Sequence, residues 1–170
     1  MDPTVIRTLF EYHYGQYRRV WQAVMQLNDA QFTQEVPYSN GSLRNHLVHV
    51  ASVDARWLAR VQGNPPPDRL DPAHFPSRQA ARTQWEDVER ASLAYIRVIS
   101  PEKLAETLAF DLPQRGGPKH NPVWQVLHHV VNHGTDHRAQ MLWILHNFGA
   151  PTFEQDLMIY LWEHSTDDEQ

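Results

Sequence analysis

The sequence predicts an all-α protein: a four-helix bundle, up-down with long loops, plus a short C-terminal helix. Three observations carry this. Four segments repeat apolar residues at helical spacing, each segment opens on a capping signal, and no segment alternates with the period of a strand for long enough to build a sheet. The chain has 170 residues, which suits one core, and we place a single bundle domain at residues 1–164 with a polar tail at 165–170.

The first helix covers residues 3–28. Ile6, Leu9, Phe10, His13, Tyr17, Trp21, Val24 and Leu27 form its stripe, and Asp2-Pro3 supplies an N-cap with proline at the first helical position. Asn28-Asp29, Val36-Pro37 and Asn40-Gly41 mark an irregular connection. Ser42 caps a second helix to about Gln62, with Leu43, Leu47, Val50, Asp54, Trp57, Leu58 and Val61 on one face and Gly63 placed to stop it. Residues 63–76 contain five prolines and cannot be regular helix. They form a long loop inside one domain.

Ser77 caps a third helix to about Ile99, with Trp85, Val88, Ala91, Leu93, Tyr95 and Ile96 as its buried candidates. Ser100-Pro101 ends it and starts a short turn. Residues 107–121 read as irregular or weakly extended, turning at residues 114–118. Asn121-Pro122 opens the fourth long helix, which runs to about Phe148 and closes at Gly149-Ala150-Pro151. A fifth, short helix spans Glu154 to Glu163.

Composition excludes several functions. There is no cysteine, so disulfides, thiolate ligands and a thiol nucleophile of the chain itself are absent together. The net charge is −5 without a basic block, which argues against nucleic acid. No apolar run reaches the length of a membrane span, and Met1 to Thr4 does not begin a signal peptide, so the expectation is a cytoplasmic protein with no membrane partner.

Eleven histidines are the anomaly. His133 and His137 stand one helical turn apart and can hold one divalent ion from a single rigid element. In a chain this rich in histidine such a pair also arises by chance, and the competing reading is a pair of core-edge histidines bonded to backbone. Two features favour a site. Val130, Met141 and Ile144 make the shared face apolar, where unpartnered imidazoles are costly. Gly134 sits mid-helix at a cost of about 1 kcal/mol relative to alanine, which close helix approach or access to a site would explain. A third ligand must come from another helix. His46 and His49 on the second helix, and His13 on the first, are candidates, and spacing does not choose between His46 and His49. His74 and His120 lie in loops.

Asp54 and Asp136 are carboxylates able to orient a ligand imidazole, though each is more simply an exposed or capping acid. Tyr12, Tyr14 and Tyr17 are candidate pocket residues on the first helix, or plain core. Arg18, Arg19, Arg56, Arg60, Arg78 and Arg82 solvate helices; the alternative is that they dock an anionic cofactor near the site mouth.

The stretch Ser42-Leu43-Arg44-Asn45-His46-Leu47-Val48-His49-Val50 resembles the first histidine motif of the DinB/YfiT-like family of small bacterial metalloproteins. Residues Val131 to Gln140 resemble its second motif, and Leu9 to Tyr12 and Asp156 to Leu161 resemble flanking segments. Gly134 and Asp136 depart from many relatives, which carry glutamate and histidine there. The resemblance implies a four-helix bundle, a frequent homodimer, and a divalent metal (nickel, zinc, manganese or iron) on His49, His133 and His137. It also implies a small-molecule substrate and, in some relatives, transferase or isomerase chemistry with a low-molecular-weight thiol. A metal-dependent hydrolase and a non-catalytic, stress-response metal-binding bundle are the alternatives.

Overall fold

A computed structural model of the protein describes residues 2–164, so the polar tail at 165–170 lies outside the described residues. Four long helices make the bundle: α1 (Pro3–Val24), α3 (Leu43–Val61), α4 (Arg78–Arg97) and α6 (Val123–Asn147). Three short ones join them: α2 (Asp29–Thr33), α5 (Pro101–Ala105) and α7 (Leu157–His164). α1 packs on α6 and α4, and α3 packs on the same two helices. The first two long helices therefore stand across the bundle diagonal, and the core runs between all four. None of the described helices is long and apolar enough to cross a membrane.

The capping signals act as read at three starts. Asp2 accepts from the Thr4 N–H, Ser42 from Asn45 and Ser77 from Ala80. At the fourth they do not. α6 begins after Pro122 with no side-chain cap, and the Asn121 amide donates to Gln125 instead. The first helix also ends earlier than expected. Asn28 is not part of an irregular connection but caps α2 in a capping box with Gln31, which sends Phe32 into the core. α7 starts at Leu157 because the Asp156 carboxylate accepts from the Met158 and Ile159 N–H groups. On α4, Ala91 is exposed and Ser92 takes the buried place.

Residues 107–122 correct the expectation of no sheet. They form an antiparallel hairpin, β1 (Thr107–Leu112) and β2 (Gly117–Pro122), with Leu112 opposite Gly117 and Thr107 opposite Pro122. Gly116 and Gly117 both take positive φ, near 85°, which lets the chain reverse in so few residues. Leu108, Phe110 and Leu112 face inward at period two, and the Phe110 ring meets Trp57 of α3 edge-on at 5.0 Å. The 63–76 loop is fastened to α3 from the other side. The Leu70 N–H donates to Ser52 Oγ (3.0 Å) and the Arg56 guanidinium donates to the Pro67 carbonyl.

Candidate metal centre

α3 and α6 face each other across the bundle, and their facing surfaces carry five histidines: 46 and 49 on one helix, 129, 133 and 137 on the other. His49 Nε2 lies 3.2 Å from His133 Nε2, and His137 Nε2 lies 3.1 Å from the same atom. Among the described residues these three form the one group with metal-ligand spacing, and no fourth histidine or carboxylate joins them. Nitrogens bound to one ion at about 2.0–2.1 Å stand about 3.0–3.4 Å apart over the usual bond angles. The observed spacings fall in that range, so the donor set fits a divalent ion.

Protonation supports the same fit. Burial, reinforced by the neighbouring imidazoles of His137 and His49, pushes His133 down to about 3. Burial lowers His49 as well, with Arg69 adding to it, and burial followed by His49 lowers His137. All three rings are neutral at pH 7 and keep a lone pair for a ligand bond.

His46 stands behind the cluster. Its Nδ1 is 3.1 Å from His137 Nδ1, and burial with the pressure of His137 and His49 lowers it to about 4. With the His137 Nε2 lone pair turned to the cluster, its proton sits on Nδ1 and is donated to His46 Nδ1. That bond fixes the orientation of the His137 ring. The His46 proton is then on Nε2, a buried atom without a partner. Sequence spacing left His46 and His49 open; depth separates them, since His46 is fully buried while His49 reaches the cavity.

A second buried network lies on the α1 side. His13 Nε2 donates to Asp54 Oδ2 (3.1 Å), which also accepts from the Tyr14 hydroxyl (3.3 Å). Arg138 is fully buried, and its guanidinium reaches His13 Nδ1 (3.3 Å), Thr135 Oγ1 (2.8 Å) and Gln155 Oε1 (3.0 Å). Because an arginine only donates, His13 Nδ1 must accept, and this sets the neutral Nε2–H tautomer. Burial lowers His13, in agreement. Asp54 therefore holds His13 and is bonded to none of the three clustered histidines. His13 packs so tightly on α6 that a Cβ at Gly134 would fall 2.2 Å from its Cε1.

Of the remaining candidates, Arg56 and Arg60 line the cavity beside the cluster and the others stay outside. Asp136 is exposed and accepts from Gln140. Tyr14 and Tyr17 are core residues, Tyr17 donating to the Gly134 carbonyl, and Tyr12 donates to the Gln155 carbonyl. None of the three lines the cavity. His74 and His120 are exposed. Arg18, Arg78 and Arg82 make surface ion pairs, and Arg19 covers the Phe153 ring.

The cluster opens on a cavity of about 760 Å³ between α3, the 63–76 loop, the hairpin and α6. His49 and His133 line it, together with Ser52, Trp57 and His129. Sequence reasoning missed two further lining residues, Arg69 and Arg115, because loop positions carry no periodic signal. It also missed Arg138, whose place beside His137 on an apolar helix was the available clue.

A family model described as the DinB family matches residues 1–169. Protein DinB of Bacillus subtilis (strain 168) is 28% identical over 164 residues, covering 94% of this chain and 95% of that protein. A DinB-like protein from Bacillus cereus ATCC 10987 has a similar fold, with a TM-score of 0.63 at 16% identity over 84% of this chain and 95% of the other. So does a DinB family member from Shewanella denitrificans, at 0.60 and 14% over 93% and 96%.

Proposed function

The chain belongs to the DinB family, and from that premise we propose that it is a metal-dependent enzyme whose divalent ion is held by His49, His133 and His137. One observation carries the reading: three neutral Nε2 atoms converge, from two helices, beside an open cavity that His49 and His133 line. With three protein ligands, coordination positions remain for a small molecule. An ion held by neutral imidazoles keeps its full positive charge and supplies Lewis-acid activation to whatever binds beside it.

The protein's own groups do the rest. α3 and α6 hold the ligand rings in a fixed relation, and His46 orients His137 through its Nδ1. The cavity, walled by the 63–76 loop and the hairpin, has room for a small-molecule substrate. The chain has no cysteine, so a sulfur nucleophile would be brought by a second small molecule. We take thiol-dependent transfer or isomerisation as the reaction class on the family resemblance. The homodimer and the cytoplasmic location implied by that resemblance belong to the same proposal, and sedimentation tests the first.

Plasma mass spectrometry of untagged protein beside His137→Ala tests the metal. About one divalent ion per wild-type chain, lost in the variant, is the expected result. No ion, and no uptake of added nickel, zinc or manganese, refutes the reading. In a loaded protein, substrate turnover without any thiol would redirect the reaction class to hydrolysis.

A further inference from the structure

Beyond the histidines, four guanidinium groups line the cavity: Arg56 and Arg60 from α3, Arg69 from the 63–76 loop and Arg115 from the hairpin turn. No aspartate or glutamate is among the lining residues. The chain carries a net charge of −5, so this concentration of positive charge runs against its overall balance. Four arginines elsewhere pair with carboxylates: Arg18 with Glu89, Arg78 with Asp29, Arg82 with Glu86 and Arg90 with Asp87. Among the described residues none of the four cavity arginines does.

Two of the four have structural work. Arg56 donates to the Pro67 carbonyl, and Arg60 donates to the Arg56 carbonyl while lying over the Trp57 ring. Arg69 and Arg115 make no hydrogen bond, ion pair or ring contact among the described residues. Both line the cavity, and no protein acceptor among the described residues takes up their donors. Like charges gathered without counter-ions raise the local potential, and an anion entering between them gains charge-assisted, often bidentate, hydrogen bonds.

His49 and Arg56 share one face of α3, seven residues apart, which is about 10 Å along the axis. Arg56 and Arg60 therefore leave α3 at a level set off along its axis from His49. We propose that the cavity takes an elongated small-molecule anion, its carboxylate or phosphate held by Arg69 and Arg115 with Arg56 and Arg60, and its other end at His49 and His133. The placement of that second end rests on the metal-enzyme reading above; the arginine subsite does not.

The test follows the arginine Nε–Hε resonances by NMR while metal-free protein is titrated with inorganic phosphate and with glutarate, and then repeats the titration on zinc-loaded protein. Saturable shifts at Arg69 and Arg115 are expected, weakening with added salt. Arg69→Gln and Arg115→Gln should each weaken binding by about tenfold or more, while Arg18→Gln, far along the surface in its pair with Glu89, leaves it unchanged. Neither cavity variant removes a bond within the protein, and circular dichroism should show unchanged helix. Arginine-dependent binding in protein that takes up no zinc supports the subsite and refutes the metal reading alone. Zinc uptake without saturable shifts at the cavity arginines overturns the subsite and leaves the metal reading standing. Anion binding that survives both substitutions also overturns it.

Discussion

Gly134→Ala should destabilise the protein, although alanine is the better helix former. The substitution gains about 1 kcal/mol of helix propensity. Against that, the new Cβ lands 2.2 Å from His13 Cε1 and 2.6 Å from His13 Nδ1. Carbon atoms are at ease about 3.5 Å apart, so the imidazole or the whole helix must retreat by more than an ångström. The ring has nowhere to go. It is fully buried, with Asp54 on one nitrogen and Arg138 on the other. Overpacking of this kind costs about 1–3 kcal/mol. Leaving a buried donor or acceptor without its partner costs about 1–3 kcal/mol more. The net loss is about 1–5 kcal/mol, which for a domain of this size lowers Tm by about 2–4 °C per kcal/mol. Urea unfolding and thermal melts of metal-free protein measure it directly. A double-mutant cycle isolates the cause. His13→Ala removes the two atoms the methyl strikes, so the pair of substitutions together should cost less than the sum by at least about 1 kcal/mol. An unchanged or raised Tm for Gly134→Ala, or strict additivity in the cycle, would refute the steric argument.

Two further perturbations read the polar interior. The folded-state values of His46 and His133 lie below the ordinary imidazole value of 6.5, so the unfolded chain takes up their protons first. Their stabilising contribution is complete above pH 6.5 and is lost as pH falls towards 4 and 3. Metal-free protein should therefore lose stability on acidification from pH 6.5, and His46→Asn should flatten the slope between pH 6.5 and 4 by at most one proton, about 1.4 kcal/mol per pH unit; an unchanged slope means that His46 is already protonated in the fold. Asp54→Asn keeps an acceptor for His13 and Tyr14 but places an amide where Asp54 Oδ1 now lies buried and unpartnered. It should cost about 1–3 kcal/mol in urea unfolding while metal content by plasma mass spectrometry is unchanged; lost metal at unchanged stability would show that Asp54 acts on the ligands directly.

The bundle was legible because its signals are local and redundant. Asp2-Pro3, Ser42 and Ser77 each mark a helix start within one turn, and the 3.6-residue stripe that follows does not depend on any other part of the chain. The hairpin was not legible in the same way. Thr107 to Leu112 does alternate, but its partner Gly117 to Pro122 carries two prolines, a glycine and no apolar alternation. What holds the two together is the glycine pair at the turn and the packing of Phe110 on Trp57 from a distant helix. Asn28 misled for a related reason. The same residue that breaks one helix can cap the next, and only the capping box with Gln31 distinguishes them.

Depth is the quantity that sequence periodicity does not give at the histidine cluster. A helical stripe fixes the direction in which a side chain leaves the axis. It does not fix how far into the bundle the neighbouring helix allows it to reach. His46 and His49 leave α3 towards the same neighbour, yet one meets the far nitrogen of His137 and the other meets His133 at the cavity floor. The difference follows from how α6 lies against α3, and α6 is in turn packed closely by α1 at Gly134, the residue after His133. A glycine on one helix and a histidine on another thus help hold α6 where its two ligand histidines meet His49 of α3. Arg138 extends the argument. Burying a guanidinium is costly unless its donors are satisfied, and here they are used on His13, Thr135 and Gln155, while the Tyr12 and Tyr17 rings lie within 5.2 Å and 4.9 Å of it. The polar network that locks His13 against Gly134 is what makes the α1–α6 seam unforgiving, and an unforgiving seam holds α6, whose own turn spaces His133 and His137, in a fixed place against its neighbours.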